Sequence, residues 1–256
     1  MTLMKKAALF AGAAALGGVL ASAPAQAAVV DMYHGTTGEY ATYRGHETTF
    51  WTGKILKYEE DFEDETLGVS ETIATSGPGV GTFTSTVAGQ HDKKIGIFDQ
   101  TGPQDGYNAA SHGRYDVTNG ISNNGRWLDS YDSKEVTWTL TSLTSFDSIS
   151  FWMTDVNDVN GSLTFNEGAG STETIIEFPG AGGSASNASL FFISIVLDAA
   201  VTEFTFEAAS STDGWGIDDI KVGATPLPAA AWFMLTALGG LVGTRWLKRD
   251  GAAQNA

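Results

Sequence analysis

Two acidic segments of this chain have the residue types to hold a hard cation. The first is Glu59-Glu60-Asp61-Phe62-Glu63-Asp64-Glu65, and the second is the run Asp213-Gly214-Trp215-Gly216-Ile217-Asp218-Asp219-Ile220-Lys221-Val222. In the second, Trp215 and Ile217 share one strand parity while Ile220 and Val222 fall on the other. The apolar phase slips by one residue at Asp218-Asp219, which predicts a β-bulge there. A bulge can aim a carboxylate and a freed carbonyl at one point, and calcium takes that mixture of oxygens. If the two segments lie side by side, Glu63 and Asp219, assisted by Asp61 or Asp218, form a calcium site. The alternative is a solvated acidic edge whose charge discourages strand addition.

A third acidic stretch, Asp155-Val156-Asn157-Asp158-Val159-Asn160-Gly161, alternates oxygen ligands but lacks the spacing and terminal Glu of an EF-hand. It reads as a hairpin turn in which Asn160-Gly161 supplies the positive φ values. Between residues 99 and 134, Tyr107, Tyr115, Trp127 and Tyr131 lie among Asp105, Asn108, Asn124 and Asp129. Flat aromatic faces beside hydrogen-bonding side chains suit sugar rings, which makes Tyr107, Trp127 and Tyr131 candidate ligand-binding residues. The alternative is that these aromatics pin a long loop onto the fold. His34, His46, His91 and His112 show no metal-ligand spacing, and no Ser sits in a G-x-S-x-G elbow. Carboxylate pairs abound, yet nothing marks one as a glycosidase pair.

The elements that would position these residues are β-strands. Leu56, Tyr58 and Phe62 alternate with polar neighbours, as do Val136, Trp138 and Leu140, then Ile149, Phe151 and Met153. Leu163 and Phe165, Phe191, Ile193 and Ile195, and finally Phe204 and Phe206 repeat the pattern. No stretch of the central region holds a helical period for three turns. About ten strands punctuated by turn residues predict an antiparallel β-sandwich, with a jelly roll as the expected version. Residues 28–47 are polar and Gly/Thr-rich, and read as a mobile leader or one edge strand.

Both ends carry address labels. Lys5 and Lys6 precede an apolar run from Ala7 to Leu20, and Ala25-Gln26-Ala27 offers small residues to a signal peptidase. This predicts a signal peptide over residues 1–27, with cleavage after Ala27 or, alternatively, Ala25. At the other end, TPLPA at Thr225–Ala229 precedes an apolar stretch from Leu227 to Val242 and a basic cluster of Arg245, Lys248 and Arg249. That stretch is about 16 to 18 residues, near the lower limit of roughly 17 for a membrane-spanning helix. Trp232 and Trp246 suit the two membrane interfaces, and the basic cluster suits the cytoplasmic side.

The segment from Thr225 to Arg249 resembles the PEP-CTERM sorting domain of Gram-negative bacteria, in its VPLPA variant. Pro226, Leu227, Pro228 and Ala229 match the motif; Thr225 replaces its usual Val, and Trp246 and Leu247 interrupt the basic cluster. The resemblance covers about a tenth of the chain. It implies transient anchoring in the inner membrane, processing near Pro226 by an exosortase-type enzyme, and a place at or beyond the cell surface.

The expected layout is a signal peptide (1–27), a leader (28–47), a sandwich domain (48–224) and a sorting signal with transmembrane segment (225–256). Of 14 basic and 30 acidic residues, five basic and one acidic lie in the two labels, leaving the central region at −20. That charge repels nucleic acid and suits a soluble exported protein that collects cations. With no cysteine, neither disulfides nor thiolate chemistry is available. The sequence therefore predicts an exported surface or matrix protein, non-enzymatic, with a structural calcium and polysaccharide as ligand. A secreted polysaccharide-active enzyme using a carboxylate pair, or a purely structural matrix component, are the alternatives.

Overall fold

The alternation of β-branched and aromatic residues with polar ones builds two sheets that share one core. A computed structural model describes residues 28–76, 80–100, 113–117, 125–140, 146–165, 173–179, 189–199, 201–226 and 236. In chain order the elements are β1 (Val29–Thr36), α1 (Tyr40–Trp51), β2 (Ile55–Glu60), β3 (Gly68–Ser70), β4 (Thr72–Ala74), β5 (Thr82–Val87) and β6 (Ile95–Phe98). Then come β7 (Trp127–Asp129), β8 (Glu135–Thr139), β9 (Ser148–Thr154), β10 (Ser162–Phe165), β11 (Thr174–Glu177), β12 (Ser189–Val196), β13 (Glu203–Glu207) and β14 (Gly216–Ala224). One sheet runs β1-β12-β9-β14-β7-β6-β3, with β2 also against β14; the other runs β11-β10-β13-β8-β5-β4. Every described pairing is antiparallel.

Phe151, Met153, Phe191 and Ile193 of the first sheet meet Phe83, Trp138, Phe204 and Phe206 of the second in one continuous core. Trp138 stacks on Phe83 at 5.4 Å and on Phe204 at 5.0 Å, and stands edge-on to Phe151 at 6.0 Å. The predicted antiparallel sandwich is what the chain forms. The stretch 155–161, expected to be a hairpin turn, instead carries the chain from β9 in one sheet to β10 in the other. Its positive φ values fall at Asp155 (64°) and Asn160 (48°), not at Gly161.

Of residues 28–47, only Val29–Thr36 form an edge strand, β1, which pairs with β12 along its full length; the rest turn into a helix. The helix α1 that follows was not expected. Thr36 and Glu39 form a capping box, with the Thr36 amide donating to Glu39 Oε2 at 2.7 Å, and start the chain turning. Tyr40, Tyr43, Arg44, Glu47 and Trp51 then recur at helical spacing and turn towards the outer face of the first sheet. There Tyr43 joins Trp152, Leu190 and Phe192 in a second, smaller core. The middle strands β9 and β12 are therefore covered on both faces, which explains their near-continuous burial.

Among the described residues no helix is long and apolar enough to cross a membrane. Apart from Thr236, residues 227–256 lie outside the described ones, as do residues 1–27.

The outer core gives a direct check. Phe192→Ala should cost about 3–5 kcal/mol in denaturant unfolding, whereas Ile175→Ser on the exposed edge strand β11 should stay within about 0.5 kcal/mol. Equal effects would mean that α1 does not cover β12.

Candidate functional site

The site region is organised by the predicted bulge, which is present. Asp218 pairs with Trp152 and Lys221 with Ser150, so β14 carries one more residue than β9 between them. Asp219 takes the extra position with φ of 47°. Ile217 and Ile220 keep facing the core, while both carboxylates turn to the outer face. Beyond the bulge β14 exchanges its partner β7 for β2, with Ile220 opposite Glu60 and Lys221 opposite Glu59. The two acidic segments do lie side by side.

Their carboxylates nevertheless go to different partners. Asp219 is gripped by Arg44 of α1 and by Lys221, whose Nζ lies 2.8 Å away. Lys221 also donates to Glu47 at 2.7 Å and lies 3.2 Å from Glu59. Burial works against the charge on Arg44 and Lys221, but Asp219 and Glu47 outweigh it and raise both pKa values. Arg44 also lies over the Trp152 ring at 5.0 Å and donates to the Val117 carbonyl at 2.8 Å.

Asp218 accepts instead from the backbone amides of Val117 at 2.8 Å and Asp219 at 2.7 Å. Burial, together with the charges of Asp116 and Asp219, pushes its pKa well up. Glu63 does not reach Asp219; it lies near Asp116 and Asp61, and its Oε1 accepts from the Arg126 amide at 3.1 Å. Burial first, then those two carboxylates, raise the Glu63 pKa. A Cβ on Gly125 would collide with both Asp116 and Glu63, so these carboxylates fill the space a side chain would take. Asp61 spends Oδ1 on the Glu63 amide at 3.2 Å.

A separate hub surrounds Arg114, which is fully buried. Its guanidinium lies 2.9 Å from Asp129, 3.4 Å from Asp213, 3.7 Å from Asp132 and 3.9 Å from Asp155. Asp158 and Asp213 are neighbours here, and burial followed by the Asp213 charge pushes Asp158 up to about 6. Two carboxylate triples hold oxygens within 4.8 Å of one another: Glu60, Asp64 and Glu65, and Asp155, Asp158 and Asp213. Among the described residues, eight carboxylate side chains are buried against a single buried cation, Arg114.

The aromatic residues singled out for sugar binding are interior. Trp127 is 1% exposed and Tyr131 4%, and both pack with Phe98. The Trp127 indole N–H donates to Asp129 at 3.3 Å, and Tyr131 stacks on His91 at 4.2 Å. This burial fits aromatics that pin a loop, and leaves neither ring a free face. Tyr107 lies outside the described residues, as do Leu227, Pro228 and Ala229; Pro226 follows Thr225 at the end of the sandwich.

An open hollow lies elsewhere, between the end of α1 and the start of β2. Its volume is about 250 Å³ and its lining is Glu47, Thr48, Trp51, Lys54, Leu56 and Lys221. Sequence reasoning missed Arg44, Glu47, Trp51 and Lys54 because α1 itself was missed. The legible signal was the Thr36-x-x-Glu39 capping box. Arg114 and Asp116 could not have been found, because only the folded chain brings them to the acidic segments.

No protein-family model matches the chain, and no curated protein matches it. Among solved structures it is similar to the K2 cleaved adhesin domain of Lys-gingipain, at 13% identity over 67% of this chain and 98% of that one, with TM-score 0.33. It is similar also to a carbohydrate-binding module of Cellvibrio mixtus lichenase 5A in complex with cellotriose, at 18% identity, 67% and 100% coverage, and TM-score 0.24. A third is TmCBM61 in complex with β-1,4-galactotriose, at 12% identity, 63% and 92% coverage, and TM-score 0.27. Likenesses this loose carry no conclusion about ligand or activity.

The Asp158–Asp213 pair yields a pH dependence. A folded value of about 6 against the ordinary 3.8 means that the folded chain holds a proton which the unfolded chain releases. This stabilisation is complete below the ordinary value and is lost as pH rises through about 6. Asp158→Asn should therefore stabilise the protein by about 1 kcal/mol at pH 7, discounted because the group is partly exposed. The difference should fall to about half by pH 5 and approach zero only below about pH 4 in thermal melts. A variant less stable than the parent at pH 7 would contradict the repulsion between the pair.

Proposed function

We propose that this chain is an exported, exosortase-sorted cell-surface or extracellular-matrix protein. Its sandwich, read as a jelly roll, binds polysaccharide without cleaving it and is stiffened by a structural calcium. The observation that carries the reading is the placement of the acidic residues. Carboxylates that sequence counting left as possible acid/base pairs are buried, bonded to Arg44, Lys221, Arg114 or backbone amides, or crowded against one another. Such groups hold a scaffold together. A glycosidase pair must instead flank an open cleft.

For calcium, the string Asp61–Glu63–Asp116–Asp218 suits the ion better than a set that includes Asp219. It is all oxygen, which a hard cation requires, and its members carry mutual repulsion that a divalent ion relieves. Glu63 and Asp116, whose oxygens border the same space beside Gly125, would hold the ion, with Asp61 and Asp218 on either side. Export is supported by how the fold ends. The Thr225 amide and hydroxyl both bond to Asp147, at 2.8 and 3.2 Å, so the sandwich closes immediately before the sorting motif.

Calcium added to the chelated full chain should release or absorb heat in calorimetry and raise the melting temperature, by about 2.7 kcal/mol of stabilisation at a hundredfold excess over Kd. Asp116→Asn and Glu63→Gln should each weaken that response. No heat and no shift would sink the calcium assignment. On extracellular polysaccharide the chain should bind without releasing reducing ends; release of reducing sugar would instead support the enzyme alternative.

A further inference from the structure

We infer that the hollow between α1 and β2 is a binding site and receives one neutral sugar ring at the end or a branch of a polysaccharide chain. This rests on the polysaccharide reading above and gives it an address. The floor is Trp51, whose indole is fixed from three sides. Its Nε1 donates to Ser150 Oγ at 2.9 Å, Phe50 stands edge-on at 5.2 Å, and its six-membered ring lies so close to Gly223 that any Cβ there would collide with it. An aromatic surface held this way is pre-organised, so a ligand that stacks on it orders little on arrival. Leu56, 44% exposed, adds an apolar lip. Together they suit the C–H face of a pyranose.

The fringe supplies both donors and acceptors, as ring hydroxyls require. The chain turns back at Gly53, with φ of 78°, and brings Lys54 beside the helix end, where its Nζ bonds to the Phe50 carbonyl at 2.6 Å and lies 3.8 Å from the Phe50 ring centroid. Thr48 donates to the Arg44 carbonyl at 2.9 Å and keeps acceptor capacity, and Glu47 offers carboxylate oxygens.

Charge narrows the ligand class. Lys221 is committed to Glu47, Glu59 and Asp219, which leaves Lys54 as the ammonium of the lining that can donate to a ligand, with Glu47 in the lining and Asp147 nearby opposing an anionic one. The chain as a whole carries −16 and repels polyanions. Size narrows it further: about 250 Å³ lies below the roughly 300–1,000 Å³ of pockets that enclose larger ligands. One ring fits, with the rest of the polymer left outside.

The test is calorimetric titration of the full chain with dextran, laminarin and mannan as neutral polymers and polygalacturonate as the anionic one. One neutral polymer should bind, and its constituent monosaccharide should compete. Trp51→Ala should weaken binding by about tenfold or more, and Lys54→Gln by about three- to tenfold. Ile175→Ser, on the far sheet, should bind as the parent does. Melting curves run beside each titration, and should Trp51→Ala unfold, the surface change Lys54→Gln decides. Unchanged affinity in folded variants overturns this site but not polysaccharide binding. Preference for polygalacturonate overturns the neutral class. Failure of the parent to bind any of the polymers overturns the polysaccharide reading and this inference with it.

Discussion

Two aspartates forced onto the same face of one strand set most of what surrounds them. In a regular strand Asp218 and Asp219 would point to opposite faces, and one carboxylate would enter the core between Ile217 and Ile220. The bulge removes that conflict by putting both outside, at the cost of placing two negative charges beside one another. The outer face then needs cations and donors. It obtains Arg44 from α1, Lys221 from the strand itself and the Val117 amide from residues 113–117. An unpaired buried carboxylate costs several kcal/mol, so the helix and residues 113–117 are fixed where these partners can reach.

This arrangement explains why an antiparallel sheet is covered on both faces along its middle strands. Trp152 and Phe192 point outward and would be exposed without α1. The bulge supplies the polar reason for α1 to dock, and those two rings supply the apolar one. Arg44 serves both, bonding to Asp219 while lying over Trp152. The hollow beside Trp51 is a consequence of the same docking. It opens where the helix ends and β2 begins, because β2 replaces β7 as the partner of β14 only beyond the bulge.

The sandwich and the bulge were legible because both follow from the phase of apolar residues along single strands. Phe151, Phe191, Phe204 and Trp138 alternate as predicted and meet in the core, and the slip at Asp218-Asp219 is a slip of the ladder. Helix α1 was not legible by that route. Its inward face is Tyr40, Tyr43, Arg44, Glu47 and Trp51, residues with both apolar bodies and polar ends, so hydropathy shows no period although the spacing is helical. The pairing of acids was legible only to the level of segments. β2 does meet β14, yet Asp219 goes to Arg44, which is 175 positions away in sequence, and Glu63 goes to Asp116. Which carboxylate meets which cation is decided by packing between elements, and no local pattern encodes it.

The acidic composition itself changes meaning once its location is known. A charge of −16 spread over a surface is a solubility device, and that is the simple interpretation of the total. Here eight carboxylates are buried with one buried cation, and Arg44 and Lys221, both mostly buried, offset only the group around Asp219. The remainder must be met by backbone amides, by bound protons or by a bound cation. Protons explain part of it, since burial raises Asp129 and Asp218 within that set, and Glu63 and Asp158 beside it. A divalent ion would offset the same charge without requiring bound protons. If calcium binds there as proposed, the domain is more stable where the ion is present than where it is scarce, and the export proposed for this chain would then place it where the ion is supplied.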